Sequence, residues 1–438
     1  MTDTQNWSLV APRLVKSGNT VTLRLREQWF QERQSVPPPS IMIIDVSGHA
    51  TQTMREIPDQ VRLTADGSDY TLTTSFPHEG EYLLLIETPA GVEKVALYAL
   101  DADLYHRRPY RGDVHMHSNR SDGKEEPAVV AAACRRIGLD FMALTDHWMY
   151  DPSLEAIKAF DQVDLELRIF PGEEVHVPML PVRDGAREGS TPLHIVNFGG
   201  SFSINTWIRQ HESVFDQQIK RLMEQLPNFP PNMDRRSYAE CAWTFDKIRE
   251  AGGMGIFCHP YWIARERYDA PQALTDLVFD RQPYDALELI GGYYPHETIS
   301  NHLQVTRYHE ERSRGSSIPI VGVSDAHGCN TGQLFGWYTT LVFSPSATYS
   351  DLKQSIMDLY SVAVESVPGS VEKAHGPYRL VKYAQFLLRE ILPAHNELCY
   401  HEGIAMQAYL DGEAEAKTVL KATYGSIADF YHRLWGET

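Results

Sequence analysis

Metal-capable side chains recur along this chain at the ends of short apolar runs. The first group is Asp113-Val114-His115-Met116-His117-Ser118, in which two histidines stand two residues apart. Because side chains alternate along a β-strand, His115 and His117 point to one face and can grip one metal ion. The later elements are Thr145-Asp146-His147, Gly172-Glu173-Glu174, Leu193-His194-Ile195-Val196, Cys258-His259-Pro260 and Ser324-Asp325-Ala326-His327. This ordered series predicts a site for more than one metal ion.

Between residues 106 and 345, apolar strand-like runs alternate with helical segments. Residues 127–137 are predicted to form a helix, because Pro127 stands in the first turn, Arg135 and Arg136 stand near the end, and Gly138 follows. Alternation of this kind is typical of an α/β fold with a parallel sheet, and apolar strands with helices between them favour a barrel. The seven strand candidates are residues 113–115, 141–145, 168–170, 193–198, 255–258, 286–290 and 318–323.

The segments on either side of this region have different patterns. Residues 1–105 contain short β runs at 20–25, 41–46, 60–63, 70–75 and 81–86, separated by turn signals such as residues 65–67. They predict a β-sandwich accessory domain of immunoglobulin-like type. Residues 203–252 resemble a helical insertion in the barrel. Residues 346–438 are predicted to be a helical C-terminal extension, with helices at 378–391, 401–410 and 414–435.

Composition limits the classes of partner. The chain has 438 residues with 40 basic and 58 acidic side chains, a net charge of −18. This charge disfavours nucleic acid and anionic membrane surfaces as partners. The five scattered cysteines do not form a disulfide framework or a CxxC zinc site. The N-terminus lacks the pattern of a signal peptide, so a cytoplasmic location is the simplest expectation. The oligomeric state stays open.

Nine residues are the predicted metal ligands. A lone histidine in a strand is usually a packed core residue, but six histidines at successive strand ends are not independent accidents. Asp122 joins them from the loop Ser121-Asp122-Gly123, where the glycine permits close approach. Imidazole and carboxylate donors suit Zn, Mn or Fe. The set is His115, His117, Asp122, His147, Glu174, His194, His259, Asp325 and His327.

Two acidic neighbours of these ligands have a second interpretation. Glu173 and Glu174 cannot both face inward on an extended segment, and we choose Glu174 as the ligand. Glu173 and Asp146 are then expected to support ligands or the fold.

In its ordered motifs, this chain resembles the polymerase and histidinol phosphatase (PHP) family of metal-dependent phosphoesterases, over roughly residues 111 to 345. The family's series of His, His, Asp or His, His, Glu, His, His, Asp and His is matched without a gap by the nine ligands. The resemblance implies a distorted (β/α)7 barrel, which agrees with the seven strand candidates. The N-terminal β domain is similar to that of the subgroup that includes a carbamate hydrolase.

The resemblance also implies how the ligands are shared and what they do. Two to three divalent ions (Zn, Mn or Fe) are expected, and a hydroxide that bridges two of them would attack the substrate. The implied sets are His115, His117, Glu174 and Asp325 for the first ion, Glu174, His194 and His259 for the second, and Asp122, His147 and His327 for the third.

Further candidates surround the ligands. His176 shares the face of Glu174 and could protonate a leaving group, and a supporting role for a ligand is an equal alternative. Arg120 could clamp a phosphate or be a solvated loop residue. Tyr261 and Trp262 could wall the pocket, and Arg265 could reach an anionic substrate. Arg379 begins a helix that could bind an anion, although simple helix packing is the plainer alternative.

These observations predict a metal-dependent hydrolase of a small phosphomonoester or phosphodiester. The alternative is an ester, carbamate or amide hydrolase that uses the same ions, which the aromatic residues near the ligands favour. A non-catalytic binding module is a third hypothesis, and it would normally have lost ligands.

Overall fold

The computed structural model describes residues 10–26, 40–48, 54–56, 61–63, 69–88, 91–177, 193–226, 229, 234–264, 266–329 and 333–437. In these residues the chain is a mixed α/β protein, as the sequence predicts. It divides into unit 1, residues Met1–Arg108, Tyr378–Leu398 and Gly425–Thr438, and unit 2, residues Pro109–Pro377 and Cys399–Tyr424. Over the same residues, no helix has the length and apolar character needed to cross a membrane.

Unit 1 contains two sheets that share one apolar core. Buried Leu23 and Leu72 of the first sheet pack in one cluster with Ile41, Leu84 and Leu97 of the second, which is the packing of a β-sandwich. The predicted turn at residues 65–67 lies outside the described residues. The strands are β1 (Val10–Ala11), β2 (Leu14–Lys16), β3 (Thr20–Arg26), β4 (Ser40–Asp45), β5 (Met54–Glu56), β6 (Val61–Leu63), β7 (Asp69–Ser75), β8 (Gly80–Thr88) and β9 (Gly91–Leu100). Their orders are β1-β3-β7-β6 and β2-β9-β8-β4-β5.

Unit 2 is built on two further sheets. Its strands are β10 (Arg108–Asp113), β11 (Phe141–Ala143), β12 (Arg168–Phe170), β13 (Gly172–Val177), β14 (Leu193–Phe198), β15 (Met254–Phe257), β16 (Ile263–Ala264), β17 (Arg267–Tyr268), β18 (Ala286–Ile290), β19 (Ile320–Gly322), β20 (Tyr338–Ser344), β21 (Ser361–Glu365) and β22 (Lys373–His375). One sheet has the order β12-β11-β10-β20-β21-β22, and the other has the order β13-β14-β15-β18-β19. Strands β16 and β17 form a separate hairpin.

The expectation of a purely parallel sheet is wrong for unit 2. Strand β14 runs antiparallel to both β13 and β15, whereas β15, β18 and β19 are parallel. Pro171 explains why β13 is separate from the predicted strand at residues 168–170. Its ring has no N–H to donate to a ladder, so β12 ends there and Glu174 enters the other sheet.

Isolated bridges connect the two sheets of unit 2 where the strands end. Met116, just after β10, pairs in parallel with Ala326, just after β19. His147, after β11, pairs in the same way with Glu174 of β13. The first bridge is flanked by the predicted ligands His115, His117, Asp325 and His327, and the second pairs the predicted ligands His147 and Glu174, so these connections bring six of the nine predicted ligands to one place.

The helices follow the sequence predictions with two changes near the C-terminus. Pro393 lies in the first turn of a helix rather than between helices, where proline is tolerated because the backbone N–H groups of the first turn have no acceptor within the helix. Gly425 has a φ of +92° and divides the predicted 414–435 helix into two. The helices are α1 (Ala102–Tyr105), α2 (Pro127–Arg136), α3 (Asp151–Ala159), α4 (Ile204–Gln210), α5 (Glu212–Gln225), α6 (Arg235–Glu250), α7 (Gln272–Arg281), α8 (Thr298–Ser313), α9 (Tyr349–Met357), α10 (Tyr378–Glu390), α11 (Leu392–Leu410), α12 (Ala416–Thr423) and α13 (Ser426–Trp435).

A fully buried arginine joins the helices of unit 2. The Arg135 Nε of α2 lies 2.5 Å from Glu402 Oε2, and its Nη1 lies 3.1 Å from Asp140 Oδ1. Nη1 also donates to the Leu139 carbonyl at 2.9 Å. Glu402 and Asp140 are themselves buried, so their charges depend on this guanidinium.

Replacing Arg135 by methionine should strongly destabilise the protein. The side chain keeps most of its volume, but two buried carboxylates lose their cation, which costs about 3–5 kcal/mol of unfolding free energy. Urea unfolding of the full chain measures the change. Lys158→Met on the exposed side of α3 is the control and should change stability by less than about 0.5 kcal/mol. Equal stability of Arg135→Met and the control would contradict the prediction.

Candidate metal centre

The structure brings the nine predicted ligands together within unit 2. They come from both sheets and lie in or directly after strands, except Asp122, which lies in the loop between β10 and α2. Met116, between the two histidines of the first motif, is buried in an apolar cluster. As the His-x-His spacing predicts, Met116 therefore faces the apolar core, and His115 and His117 face the other ligands.

Glu174 lies at the centre of the cluster, and its two oxygens face different histidines. Oε1 is 2.8 Å from His194 Nδ1 and 3.5 Å from His115 Nε2. Oε2 is 2.6 Å from His147 Nδ1 and 3.6 Å from His117 Nε2. The carboxylate is fully buried, so it can serve two groups of donors at once.

Asp325 supplies the second central carboxylate. Its Oδ1 is 2.9 Å from His117 Nε2 and 3.4 Å from His115 Nε2, and its Oδ2 is 3.8 Å from His259 Nε2. Donors bound to one Zn²⁺ at about 2.0–2.2 Å are about 3–3.5 Å from each other. Most of these separations are in or near that range.

Asp122 forms a more open group with two histidines. Its Oδ2 is 3.4 Å from His147 Nε2, and its Oδ1 is 3.3 Å from His327 Nε2. Its side chain is 54% exposed, so this end of the cluster is the side that solvent reaches. A Cβ on Gly123 would lie 2.4 Å from the His117 carbonyl oxygen, which confines this loop position to glycine.

Several buried polar atoms of the cluster have no hydrogen-bond partner among the described residues. They include both Glu174 oxygens, His115 Nε2, His117 Nδ1 and His194 Nδ1. An unpaired buried polar atom is costly, and such atoms are rare in folded proteins. Their convergence, together with the nitrogen and carboxylate donor types, fits bound divalent cations. The groups of residues that could hold an ion include His115–His117–Asp325 and His117–Asp122–His147–His327.

The second nitrogen of three histidines is already engaged, which leaves the other nitrogen for an ion. His115 Nδ1 lies 3.1 Å from Glu288 Oε2, and His327 Nδ1 lies 2.8 Å from the Asp325 carbonyl oxygen. His147 Nδ1 lies 2.8 Å from His176 Nε2. Such contacts fix the tautomer and the orientation of a ligand histidine.

Burial and neighbouring charges set the pKa values of these groups in opposite directions. Burial and nearby His176 lower the pKa of His194 to about 3, and burial and His147 lower that of His117 to about 4. Burial would raise the pKa of Glu174, but the surrounding histidines outweigh it and hold the pKa well below its usual value. Burial would lower the pKa of His147, but Glu174 and Asp122 raise it to about 10, and the nearby carboxylates likewise raise the pKa values of His115, His259 and His327. Metal ions bind neutral imidazole and ionised carboxylate, so an ion bound to these four histidines would displace protons.

Three residues at the cluster have a positive backbone φ. Trp148, His259 and Asp325 have φ values of +57°, +22° and +52°, and they are three of the seven described non-glycine residues with a positive φ. Positive φ costs free energy for residues with a Cβ, and it persists only where the surroundings enforce it. Two ligands and an adjacent tryptophan are therefore held in position by the fold.

The two acidic neighbours of the ligands have local structural contacts. Asp146 accepts hydrogen bonds from the Ser118 amide and from the Ser121 hydroxyl, which holds the loop before Asp122. Glu173 points away from Glu174 and accepts from Asn205 Nδ2 and the Ile204 amide at the start of α4. These contacts are consistent with the supporting roles expected for both residues.

The two predicted catalytic residues occupy different surroundings. His176 is buried among the ligands, with Nε2 2.8 Å from His147 Nδ1 and 3.6 Å from Glu174 Oε2. Arg120 lies in the exposed part of the loop, where Glu155 binds its Nε and Nη2 at 2.9 and 2.5 Å. Glu126 contacts the same Nη2 at 2.5 Å. The contacts of Arg120 favour a structural role over the predicted phosphate clamp.

Two of the predicted substrate-binding residues have contacts of their own in the described part of the chain. Tyr261 is buried, with its ring against Tyr268 at 5.6 Å. Arg265 lies outside the described residues. Arg379 belongs to unit 1, where its guanidinium binds Glu79 at 2.5 and 2.6 Å and Asp103 at 2.6 and 2.7 Å. These pairs favour the plainer alternative for Arg379, that of a residue that holds its helix in place.

Sequence reasoning missed Glu288 and underestimated two tryptophans. Glu288 is the single acid in the apolar strand β18, its Oε2 lies 3.1 Å from His115 Nδ1, and it forms a group with His115 and His259 that could hold an ion. Trp262, rather than Tyr261, places its ring 6.0 Å from His194 and 6.1 Å from His259. Trp148 stands 4.3 Å from His176. The available signal was an aromatic residue close behind a ligand, since Trp148 directly follows His147 and Trp262 lies three residues after His259.

Comparison with known proteins gives partial similarities. No family model matches the chain. A stretch of 75 residues, 17% of this chain and 13% of the relative, is 35% identical to DNA polymerase/3'-5' exonuclease PolX of Bacillus subtilis. A Bacteroides vulgatus structure, described as a two-domain protein containing a predicted PHP-like metal-dependent phosphoesterase, aligns with 59% of this chain and 65% of its own. Its identity is 16% and its TM-score is 0.39.

Two other solved structures give similar alignments. A candidate metal-dependent phosphoesterase from Bifidobacterium adolescentis aligns over 51% of this chain and 89% of its own, at 18% identity and a TM-score of 0.34. An amidohydrolase from Chromobacterium violaceum with bound sulfate aligns over the same shares, at 20% identity and a TM-score of 0.30. The chain resembles PHP-like proteins, as its motifs predict. The donor set, the reaction and the substrate of this chain are inferred from its own residues and not from these alignments.

Glu288→Gln should weaken metal binding without unfolding the protein. The amide keeps the shape of the side chain but is a poorer acceptor for His115 Nδ1–H, so the metal affinity should fall about 10- to 100-fold. Zn²⁺ titration against a chromophoric chelator measures the dissociation constants. Glu240→Gln is the matched control, because Glu240 is a buried glutamate of α6 that pairs with Arg236. Equal metal affinity in Glu288→Gln and Glu240→Gln would refute this role.

Proposed function

We propose that this protein is a metal-dependent hydrolase of phosphate esters, either monoesters or small diesters, with two to three divalent ions at its centre. The observation that carries the proposal is Glu174, whose two buried oxygens face separate histidines. A carboxylate in this position is suited to bridge two ions. Paired ions are a frequent device for displacement at phosphorus.

The ligand contacts support the following assignment. His115 and His117 both approach Asp325 and Glu174, His194 and His259 approach the Oε1 side of Glu174, and Asp122 approaches His147 and His327. The donor types suit Zn, Mn or Fe. We propose His115, His117, Glu174 and Asp325 for the first ion, Glu174, His194 and His259 for the second, and Asp122, His147 and His327 for the third.

The bound ions would supply a water nucleophile that is deprotonated near neutral pH, and charge to stabilise the phosphate oxygens. The chain's own contribution is to hold the donors and move a proton. We propose His176 as the residue that protonates the leaving group, since its ring lies beside His147 and Glu174. Glu288 would keep His115 in the tautomer that presents Nε2.

The charge of the loaded centre supports an anionic substrate. Three divalent ions carry six positive charges, and Asp122, Glu174 and Asp325 carry three negative charges among the ligands. The centre would then have an excess of three positive charges within a chain whose net charge is −18. A phosphate ester is complementary to this local excess.

A carbonyl ester, carbamate or amide is the second candidate substrate. The observation in its favour is the exposure of Trp148 and Trp262 beside the ligands, at 46% and 37%. Apolar rings beside a centre of this kind suit an uncharged substrate better than a strongly hydrated one.

We also propose that unit 2 contains a distorted (β/α)7 barrel. Seven strands in the order β10-β11-β13-β14-β15-β18-β19 would form it, and the bridges at Met116–Ala326 and His147–Glu174 support its closure. The domain limits of 1–105, 106–345 and 346–438 stay part of this proposal. Strands β21 and β22 show that the last segment is not wholly helical.

Replacing a single ligand should lower the metal content by the number of ions that the ligand binds. Asp122→Ala should lose about one equivalent of metal, because Asp122 is a proposed ligand of the third ion only. Glu174→Ala should lose about two, because Glu174 is a proposed ligand of the first and second ions. Plasma mass spectrometry on dialysed protein measures the content. His302→Ala, on the exposed face of α8, is the control and should keep all of the metal. A Glu174→Ala variant with unchanged metal content and turnover would eliminate the proposed centre.

The reaction class is tested with three chromogenic substrates on one metal-loaded batch. We expect turnover of 4-nitrophenyl phosphate or bis(4-nitrophenyl) phosphate, and we expect a chelator to abolish it because the nucleophile depends on the ions. Turnover of 1-naphthyl acetate alone would select the carbonyl alternative. Full metal loading with no turnover of any ester would contradict both candidates.

A further inference from the structure

Two exposed tryptophans flank the candidate centre. Trp148 directly follows the ligand His147, and Trp262 lies three residues after His259. Trp148 is 46% exposed and Trp262 is 37% exposed, and they are the two tryptophans of the described residues in the exposed class. Large exposed aromatic side chains next to a polar centre commonly mark a binding surface.

The two indole rings belong to one row of aromatic rings. Trp148 lies 4.3 Å from His176, His176 stacks on His194 at 3.9 Å and 18°, and Trp262 lies 6.0 Å from His194. This row, Trp148–His176–His194–Trp262, is called the aromatic row below. It borders Glu174, because His194 Nδ1 and His176 Nε2 lie 2.8 and 3.6 Å from its oxygens.

Trp148 is held in a conformation that a tryptophan does not favour. Its φ is +57°, and its amide donates to the Glu174 carbonyl oxygen at 2.9 Å. Its own carbonyl accepts from Arg209 Nη1 at 3.4 Å. A strained backbone that is bonded on both sides fixes the indole beside the centre. The neighbouring side chains Met149 and Ile263, each 39% exposed, extend the apolar surface.

We propose that the aromatic row binds a planar ring of the substrate, so that the enzyme prefers aryl esters to alkyl esters. This inference rests on the proposed hydrolase, because it assigns the part of the substrate next to the ester. Ring stacking on Trp148 and Trp262 would place the ester beside Glu174. The shared chemistry is a flat ring, which an aryl group or a nucleobase can supply.

The first test measures binding and needs no turnover. Zinc-loaded protein is titrated by calorimetry with 1-naphthylmethylphosphonate, with butylphosphonate and with the methylenephosphonate analogue of adenosine monophosphate, none of which has an ester bond to phosphorus that could be hydrolysed. We expect the naphthyl compound to bind about five- to tenfold more tightly than the butyl compound, the factor expected of an aromatic contact. Tighter binding of the adenosine analogue than of the naphthyl compound would identify the ring as a nucleobase and support the same row.

The variants locate this preference. Trp148→Ala and Trp262→Ala should each weaken binding of the naphthyl compound more than binding of butylphosphonate, and so remove most of the advantage of the naphthyl compound. Trp148→Phe and Trp262→Phe should restore much of the advantage. Tyr424→Ala, an exposed aromatic residue of unit 2 that lies outside the row, is the control. The corresponding ratio of kcat/KM for 1-naphthyl phosphate and butyl phosphate should change in parallel, through KM.

The two proposals fail in different ways. Equal binding of the naphthyl and butyl compounds in the wild type, or an advantage that both alanine variants retain, would overturn the aromatic row even if phosphate esters are hydrolysed. A ring preference that depends on Trp148 and Trp262, with no turnover of any ester, would support the row and overturn the hydrolase.

Discussion

The buried carboxylate of Glu174 is the constraint around which unit 2 is arranged. Both of its oxygens are removed from water without a hydrogen-bond donor, and such a charge is tolerated only with compensation. His147 and His194 supply part of it at 2.6 and 2.8 Å. Cations would supply the rest, so their binding would be coupled to the stability of the strands that carry the ligands.

The sequence could reveal most of these ligands because they lie in strands or in the segments that follow them, where a polar residue interrupts an apolar run; Asp122, in a loop, is the exception. His115, His117, His147 and Asp325 are recognisable in this way one by one. Their order along the chain then restricts which strands must meet. The separate strand β13 was harder to foresee, since the effect of Pro171 is to move Glu174 from one sheet to the other. Pairing directions depend on the connections between strands, which local patterns do not record.

The residues that sequence reasoning missed or misjudged owe their roles to distant partners. Glu288 meets His115 across 173 positions of sequence, and a single acid in an apolar strand has no local feature that announces this contact. Arg379 seemed able to bind an anion because only its helix start was visible, but its partner Glu79 is 300 positions away. A hydrophobic pattern with a period of two or 3.6 residues identifies one face of a strand or a helix, but it does not identify the element that packs against that face.

The polar centre and the aromatic row make different demands on a substrate. The ions and carboxylates favour a charged reacting group, while Trp148 and Trp262 favour an apolar remainder. Neither feature alone selects an aryl phosphate, because a charged centre accepts many phosphates and exposed indoles accept many rings. Only the ring of His176 separates the indole of Trp148 from the carboxylate of Glu174: Trp148 lies 4.3 Å from His176, and His176 lies 3.6 Å from Glu174. A small molecule that uses both features must therefore carry its charged group and its ring close together. Specificity would then depend on the distance between the ring and the ester. A ring attached close to the ester would reach both features, and a ring on a long linker would not.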